Sequence, residues 1–172
     1  MPVWPLQKDC DSFYGNPRGR GGGAKSSNQW ESQNLVAIHC PWQLYNDENV
    51  KQKINSFRMH RKVEESLMRI LNKAWEEIWH KDQALVEKDN MHRFSGSFVY
   101  RNIRGSSRLS MHAYGCAIDF AANLMPLGSK WDEKKGPPKA FIKLFEDEGW
   151  VWGGEWTSRP DPMHFQAART HA

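Results

Sequence analysis

A long apolar stripe with helical spacing is the feature of this 172-residue sequence that most constrains its fold. Between Arg58 and Asp82, apolar residues recur every three or four positions and charged residues fill the opposite face. This spacing is typical of an amphipathic α-helix that packs on a core. We therefore predict a helix over 58–82, with His60 and His80 near its ends and exposed to solvent. The stripe consists of Val63, Leu67, Ile70, Leu71, Ala74, Trp75 and Ile78.

Short β-rich segments surround this helical stretch and indicate the class of fold. A second helix is predicted after Pro137-Pro138, because proline is favoured in the first helical turn, and Gly149 would end it. Strands and helices do not alternate as βαβ units, so the chain is predicted to be an α+β domain. We expect a small, mostly antiparallel sheet with flanking helices. The predicted strands span 35–40, 95–101, 114–120 and 163–167.

Chain length favours one folded domain over residues 1–172, since a chain of this size can bury a core without disulfide bonds. Residues 1–34 are rich in Gly, Pro, Ser and Asn, and are predicted to form an irregular segment packed on that domain by a few aromatic residues. Lys25 and Ser26 follow a cluster of glycines, but Ala24 stands where a phosphate-binding loop needs glycine. We therefore expect a flexible loop or a substrate-edge loop there.

The balance of charge narrows the choice of partners only slightly. Lys and Arg total 24 against 20 acidic residues, which is a net charge of +4. A modest positive charge suits nucleic acid, a membrane surface and carboxylate-rich cell wall alike. Nucleic-acid binding has only this charge and the Arg- and Gly-rich segment 18–25 in its favour, without a helix-turn-helix or an RNA-binding aromatic signature. We expect no nucleic-acid partner.

Cysteine usage and the distribution of apolar residues bear on the compartment. Cys10, Cys40 and Cys116 are an odd, sparse set without a C-x-x-C motif, so we predict reduced thiols. No apolar run approaches the roughly 18 residues that a membrane span needs. Residues 1–15 lack the basic-then-apolar pattern of a signal peptide. The protein is therefore expected to be made in the cytoplasm, as a monomer and without a membrane span.

Two short motifs carry the residue types of a metal site. The first, S-M-H-A-Y-G-C-A-I-D, contains His112 and ends at Asp119; the second, D-P-M-H-F, contains His164. A catalytic zinc ion takes three protein ligands from nitrogen or carboxylate oxygen and keeps a fourth position for water. These three residues meet that requirement. His112 and Asp119 are too far apart for one helical turn, so a tight turn at Gly115 leading into a strand is needed to bring them together.

A base and a cation complete the chemistry that a zinc hydrolase requires. Asp161 lies three residues before His164, where a carboxylate could accept a proton from the attacking water and pass it to the leaving amine. A positive group is needed for the developing oxyanion. Arg101, at the end of the preceding predicted strand, is the candidate, with Arg104 and Arg108 behind it.

A single histidine on a strand is more often a structural residue than a metal ligand. Two motifs in a fixed order are therefore stronger evidence for a metal site than either histidine alone. The pattern S-x-H-x-x-G-x-A-x-D at 110–119, followed by W-G-G-x-W and D-x-x-H-F, resembles the D-alanyl-D-alanine carboxypeptidase family of zinc peptidases. Within that family it most resembles the phage endolysins that act as L-alanyl-D-glutamate peptidases, to which the lead-in at 100–109 is similar as well. The resemblance spans about 95–166, is weaker for 58–82 and does not extend to 1–34.

The resemblance implies a fold, one zinc ion and a set of catalytic roles. The fold would be that of the hedgehog and D-alanyl-D-alanine peptidase domains. His112, Asp119 and His164 would bind the zinc ion, and Asp161 would be the general base. The arginine that stabilises the transition state or grips a substrate carboxylate corresponds best to Arg101.

The resemblance also assigns supporting roles around the metal. Ser110 would orient the loop or a ligand through a hydrogen bond. Trp152 and Trp156 would wall the cleft, although a plain core role suits them equally well. Relatives often carry Glu after the H-F pair, whereas this chain has Gln166, an amide without the negative charge that helps to orient a histidine. Cys116 occupies a non-ligand position of the motif and is predicted to be a small buried residue.

These inferences lead to one preferred function and two alternatives. The preferred function is that of a phage-type endolysin that cuts the peptidoglycan stem peptide between L-Ala and D-Glu. A D-alanyl-D-alanine carboxypeptidase would use the same metal site with a different cleft. A non-catalytic protein that keeps zinc for structure and binds wall fragments is the second alternative. The last of these is disfavoured, because a structural zinc site has no use for a base such as Asp161.

Overall fold

The computed structural model describes residues 2–172, and this part of the chain forms five α-helices and eight strands in two sheets. The strands are Leu35–Ile38 (β1), Leu44–Asn46 (β2), Asn49–Ile54 (β3), Phe57–His60 (β4), Arg93–Gly96 (β5), Ala117–Phe120 (β6), Val151–Trp152 (β7) and His164–Gln166 (β8). The α-helices are Cys10–Tyr14 (α1), Asn28–Asn34 (α2), Glu64–Lys73 (α3), Gln83–Lys88 (α4) and Lys139–Asp147 (α5). Within residues 2–172, no helix is both long enough and apolar enough to cross a bilayer.

The larger sheet has the strand order β3-β2-β5-β6-β8-β7, and β1 pairs with β4 in a separate two-stranded sheet. All pairs are antiparallel except β2 with β5. The predicted α+β class and its mostly antiparallel sheet are therefore confirmed. Strand β6 lies inside the sheet between β5 and β8, so its residues have paired neighbours on both sides.

Aromatic packing joins helix α5 to the sheet. Phe141 and Phe145 of α5 are fully buried, and the ring of Phe145 stacks on that of Phe165 in β8 with centroids 4.0 Å apart. Phe141 meets Phe120 of β6 edge to face at 5.6 Å. Burying several large aromatic side chains at one contact stabilises a fold strongly, since each removes a large apolar area from water. This contact makes β6 and β8 a rigid support.

The long helix predicted over 58–82 is only partly correct. Helix α3 and a π-helical turn at Ala74–Ile78 account for its centre, but β4 occupies its beginning. In β4, Phe57 and Met59 are buried and Arg58 is exposed, which is strand-like alternation. The prediction that His60 is solvated is wrong, since its side chain is fully buried. His80, after the π-helical turn, is exposed as predicted.

Three other boundaries shift where local turns override strand propensity. The strand expected at 95–101 is largely wrong: only Ser95 and Gly96 belong to a strand, β5, and residues 98–100 lie outside any strand. The strand expected at 114–120 starts only at β6, because Met111–Tyr114 forms a 3-10 turn that Gly115 ends in the left-handed conformation, φ 69°. The strand expected at 163–167 is β8, and the helix expected after the prolines is α5, which ends two residues before Gly149.

The N-terminal segment is more regular than predicted. It contains α1 and α2, and the Ser27 hydroxyl caps α2 by accepting a hydrogen bond from the Trp30 backbone N–H. Tyr14 and Trp30 are both buried, and the Trp30 side-chain N–H donates to the Tyr14 carbonyl at 2.9 Å. The Tyr14 hydroxyl donates to the Ala167 carbonyl at 2.7 Å. These contacts tie the segment to the end of β8.

Candidate metal centre

His112, Asp119 and His164 converge on one buried point beside the sheet. One ligand atom from each residue lies within 4.8 Å of the other two. Asp119 bridges the two histidines, with Oδ2 at 3.1 Å from Nε2 of His112 and Oδ1 at 2.9 Å from Nδ1 of His164. The three residues identified in the sequence are thus brought together, from positions up to 52 apart in the chain, by the fold.

Strand pairing and one tight turn create this convergence. In the antiparallel β6–β8 pair, Asp119 is the direct register partner of His164. His112 lies in the 3-10 turn Met111–Tyr114. Its backbone N–H donates to Oγ of Ser110, the residue that caps this turn, at 3.2 Å. Gly115 then reverses the chain into β6. A Cβ at Gly115 would lie 2.8 Å from Leu35 Cδ2 and 2.9 Å from the backbone nitrogen of His60, so glycine is required by both conformation and space.

Each histidine ring is held by a hydrogen bond on the side away from Asp119. Nδ1 of His112 donates to the Ser97 carbonyl at 2.7 Å. Nε2 of His164 donates to Oε1 of Gln166 at 2.8 Å. When a ring is neutral, as metal binding requires, this outward bond uses its single N–H and leaves the lone pair on the nitrogen that faces Asp119. When His164 is protonated, its Nδ1 instead donates a hydrogen bond to Oδ1 of Asp119 at 2.9 Å. Such outward hydrogen bonds are the usual means of orienting metal-binding histidines.

The donor set is compatible with a divalent metal ion. Two imidazole nitrogens and one carboxylate form the ligand set of many catalytic zinc sites. Nearby, Oδ1 of Asp161 is buried without a hydrogen-bond partner, one of two such side-chain atoms within residues 2–172. A buried carboxylate oxygen without a partner is unfavourable in a protein and indicates a missing polar neighbour such as water. The site therefore has ligands for an ion and an acceptor for a water molecule beside it.

Burial and mutual contact shift the pKa values of Asp119, His164 and Asp161. Burial alone would raise the pKa of Asp119, but the two facing imidazoles hold that pKa well below its usual range. Burial lowers the pKa of His164, yet the Asp119 carboxylate outweighs it and raises that pKa to about 8. Burial, with Asp119 in support, raises the pKa of Asp161 against the opposing effect of His164. Asp161 is therefore a stronger base than an ordinary carboxylate.

The W-G-G segment positions the Asp161 loop. The Asp161 backbone N–H donates to the Gly153 carbonyl at 2.8 Å, and the Asp161 carbonyl accepts from the His164 N–H at 3.1 Å. A Cβ at Gly153 would lie 2.6 Å from the Asp161 carbonyl oxygen, so only glycine permits this approach. The Asp161 side chain consequently faces the cluster, with Oδ2 at 4.0 Å from Nδ1 of His164.

A cleft of about 200 Å³ opens onto the cluster and includes most of the predicted residues around it. Of the three arginines proposed from the sequence, Arg101 and Arg104 line this cleft, while Arg108 lines a neighbouring cavity. Trp156 walls the cleft, with its ring 5.5 Å from that of His164. Trp152 is absent from the cleft lining. Its side chain is buried, and its N–H donates to the Pro162 carbonyl at 2.9 Å, so it has the alternative core role.

Several cleft residues were not identified from the sequence. Arg159 is the most significant, because it adds a third cation to the lining. Its position two residues before Asp161 was the available signal. The apolar members have no sequence signature that separates them from core residues. They are Ile103, Met111, Leu127 and Met163.

The cysteines take no part in the cluster. Cys10, Cys40 and Cys116 are free thiols, and Cys116 is fully buried. The Cys116 Sγ lies 3.4 Å from the Met111 carbonyl, and burial raises the pKa of this thiol well above its ordinary value. The prediction of a small buried residue at this position is confirmed.

The fold and the cluster define an α+β protein with a candidate metal centre at the base of a cleft. Residues 104–167, less than half of the chain, match the family model described as D-alanyl-D-alanine carboxypeptidase. The match includes both motifs, and so His112, Asp119, Asp161 and His164, but not Arg101. No curated protein and no solved structure matches the chain. The resemblance predicted from the motifs is confirmed, and it indicates a peptidase.

Proposed function

We propose that this chain is a zinc-dependent peptidase that cuts the stem peptide of bacterial peptidoglycan. The observation that carries the proposal is the meeting of His112, Asp119 and His164 within 4.8 Å at the base of a cleft, with Asp161 beside them. The family match over 104–167 supports the same reading, because it contains all four residues.

The chain's own residues provide the ligands, the base and the surrounding shape. A zinc ion bound by the three ligands would polarise the scissile carbonyl and make a water molecule more acidic. Asp161 would accept the proton of the attacking water through Oδ1, the buried oxygen that has no partner. It would then deliver that proton to the amine of the departing peptide. Burial raises the pKa of Asp161, which makes it a stronger base than an ordinary carboxylate for the first half of this transfer.

The cleft's three arginines indicate a substrate with carboxylates. Arg101, Arg104 and Arg159 line the same cleft as the cluster. Arginine binds carboxylates in two parallel hydrogen bonds, which fixes position as well as charge. Apolar side chains such as Ile103 and Leu127 lie among them and suit a small alkyl group such as the methyl of alanine. Stem peptides of peptidoglycan combine these two features, and Arg101 is the proposed contact to the developing oxyanion.

Two bonds in the stem peptide are candidates for cleavage. An endopeptidase cut between L-Ala and D-Glu is the first choice, on the likeness of the motifs and their lead-in to phage endolysins. Removal of terminal D-Ala is the second, supported by the description of the matching family model. In the endolysin case the monomeric protein would accumulate in the host cytoplasm and reach the wall at lysis.

Digestion of purified peptidoglycan with analysis by mass spectrometry tests the proposal and separates the two bonds. Endopeptidase activity would release peptides that begin with D-Glu, whereas carboxypeptidase activity would release only free D-Ala. Asp161→Asn should slow either reaction by roughly 10²- to 10⁴-fold, the usual contribution of a general base, while zinc content stays at the wild-type level. The matched control is Asp147→Asn on the exposed face of α5, which pairs only with Lys143.

The outcomes distinguish the functional hypotheses. Equal rates for wild type and Asp161→Asn would refute the assigned base. A wild-type protein that binds wall fragments and zinc but cuts nothing would instead favour the non-catalytic alternative. Full activity after removal of all metal by a chelator would refute the zinc mechanism as a whole.

A further inference from the structure

The side chain of Gln166 connects the candidate metal centre to the N-terminal segment. Gln166 is the last residue of β8 and is 1% exposed. Its Oε1 accepts a hydrogen bond from Nε2 of His164 at 2.8 Å. On the other side, its Nε2 donates to Oε1 of Gln7 at 2.7 Å and to the Ala168 carbonyl at 2.9 Å. The amide is thus fully hydrogen-bonded between a proposed ligand and a residue near the start of the chain.

These partners determine which way the amide of Gln166 points. An amide nitrogen carries two hydrogens, and here both meet oxygen atoms, those of Gln7 and Ala168. The Ala168 carbonyl can only accept, so the amide atom that faces it must be the Gln166 nitrogen. In the flipped orientation the Gln166 oxygen would face that carbonyl oxygen, and a buried contact between two acceptors is costly. The oxygen therefore points at His164.

The orientation of the amide determines the orientation of the histidine. Because Oε1 of Gln166 can only accept, Nε2 of His164 carries a hydrogen. In the neutral ring, Nδ1 therefore has the lone pair, on the side of the ring that faces Asp119 and the candidate metal position. A neutral amide therefore orients the ring as a glutamate would, without placing a further negative charge in the site.

Gln7 is itself held firmly by the chain that follows β8. Its backbone N–H donates to the Arg169 carbonyl at 2.9 Å, and the Arg169 N–H donates to the Pro5 carbonyl at 2.7 Å. The Arg169 side chain adds a bond from Nε to the Trp4 carbonyl at 2.8 Å. The backbone at Gln7 is therefore held against the chain that follows β8, within reach of the Gln166 amide.

We propose that Gln7 and Gln166 together are positioning residues for the metal centre, with Gln7 holding the Gln166 amide in the orientation that aims His164 at the ion. The inference rests on the metal centre of the proposed function, but not on which bond is cut. It gives the N-terminal segment a role at the site, although no residue of that segment belongs to either motif.

The test measures zinc affinity by competition with a chelator in the absence of peptide. Gln166→Met, which removes the acceptor from His164, should weaken zinc binding by about 10- to 100-fold, as for other groups that orient metal ligands. Gln7→Met, which removes only the acceptor for the Gln166 amide, should weaken it by roughly fivefold, the effect of one hydrogen bond. Gln7→Glu keeps an acceptor at that point and should restore affinity to near the wild-type level.

A spectroscopic measurement separates positioning from general destabilisation. Cobalt bound in place of zinc should show a changed visible spectrum in Gln7→Met and a wild-type spectrum in Gln7→Glu. The matched control is Lys8→Met, an exposed neighbour in the same 3-10 turn, which should change neither affinity nor spectrum. If Gln166→Met fails to fold, the two Gln7 variants decide the question, because Gln7 is only partly buried.

Each outcome bears on a distinct claim. Unchanged affinity and spectrum in Gln7→Met, with a wild-type protein that binds zinc, would overturn this inference and leave the metal centre intact. A wild-type protein that binds no divalent ion would overturn both. Weak binding in Gln7→Met that Gln7→Glu restores would support the inference even if the protein cuts no peptidoglycan.

Discussion

Two buried histidine regions in this protein differ in how their ring nitrogens are used. His60, at the end of β4, donates from Nε2 to the Tyr14 carbonyl at 2.8 Å and accepts at Nδ1 from the Lys62 N–H at 3.1 Å. His112 and His164 each have one nitrogen on a hydrogen-bond acceptor and the other on the shared carboxylate of Asp119. Burial is similar in all three, so burial alone does not mark a ligand.

The comparison teaches what makes a buried histidine available to a metal ion. The lone pair of His60 is occupied by a backbone N–H, so an ion has nothing to bind there. At the cluster, the ring nitrogens that face Asp119 have no backbone N–H bound to them, so the neutral rings can offer their lone pairs to an ion. The Asp119 carboxylate is itself a ligand group, and the three residues share one point. Gly115 joins the two regions, because its carbonyl accepts from the His60 N–H at 2.8 Å while its turn places His112.

The largest expected effect comes from removing a ligand. His164→Ala should reduce zinc affinity and hydrolysis by on the order of a thousandfold or more, since a metal ion supplies several kcal/mol of transition-state stabilisation. His60→Asn should retain both, because that histidine offers no free lone pair. Metal analysis and peptidoglycan digestion check the pair. Loss of zinc in His60→Asn with the fold intact would break the comparison.

Substitution of Gly115, which joins the two histidine regions, should have the next largest effect, and this effect is on stability. Gly115→Ala should lower the free energy of unfolding by about 3 kcal/mol, from the left-handed backbone and from overpacking. Its Cβ would meet Leu35 and the backbone of His60 at less than 3 Å. Urea unfolding measures this change, with Gly105→Ala, also at positive φ but with open space around it, as the matched control. Equal losses in both variants would show that packing at Gly115 is unimportant.

His60, the structural histidine, should make the stability of the protein depend on pH. Burial, supported by the nearby charges of Arg61 and Lys62, lowers the pKa of His60 to about 4 against the opposing effect of the Tyr14 carbonyl. Below pH 6.5 the unfolded chain binds a proton that the folded chain excludes, so stability falls as the pH falls. The loss should be about 2 kcal/mol between pH 7 and pH 5.

His60→Asn is the control for this pH effect. Asparagine can still accept from the Lys62 N–H at the start of the turn, but it does not titrate. Its free energy of unfolding should fall less than that of the wild type over the same pH range, as measured by urea unfolding. Parallel pH profiles for the two proteins would show that His60 does not contribute.

The smallest predicted effect concerns the cap of the ligand turn. Ser110→Ala should cost about 1 kcal/mol of stability, since the hydroxyl bonds the His112 N–H. At β4, by contrast, His60 itself caps the following turn by accepting from the Lys62 N–H. At the cluster, Ser110 caps the turn and His112 is left as a metal ligand. Thermal unfolding measures the loss, and Ser110→Thr, which keeps a hydroxyl, should recover part of it. A loss of zinc far beyond this small change would mean that Ser110 contributes to metal binding directly.

The site was easier to predict than the elements around it. Motif residues such as His112, Asp119 and His164 carry a specific chemical pattern, and the structure brings all three together. The start of the predicted long helix was wrong, because β4 is short and its pairing with β1 is not visible in local spacing. For the same reason His60 was expected at the surface. Arg159 was missed because its only sequence signal, a position two residues before Asp161, does not separate it from other surface arginines.

The sequence by itself determined the chemical types available and their local geometry: two histidines and two aspartates in fixed motifs, glycines where the backbone must turn, and an apolar stripe for α3. Tertiary structure decided which lone pairs remain free. Whether a buried imidazole meets a backbone N–H, as His60 does, or a shared carboxylate, as His164 does, depends on partners that are remote in the chain. Hydrogen bonds between such partners, including Gln7 with Gln166 across almost the whole chain, exist only after β8 and the N-terminal segment have packed together.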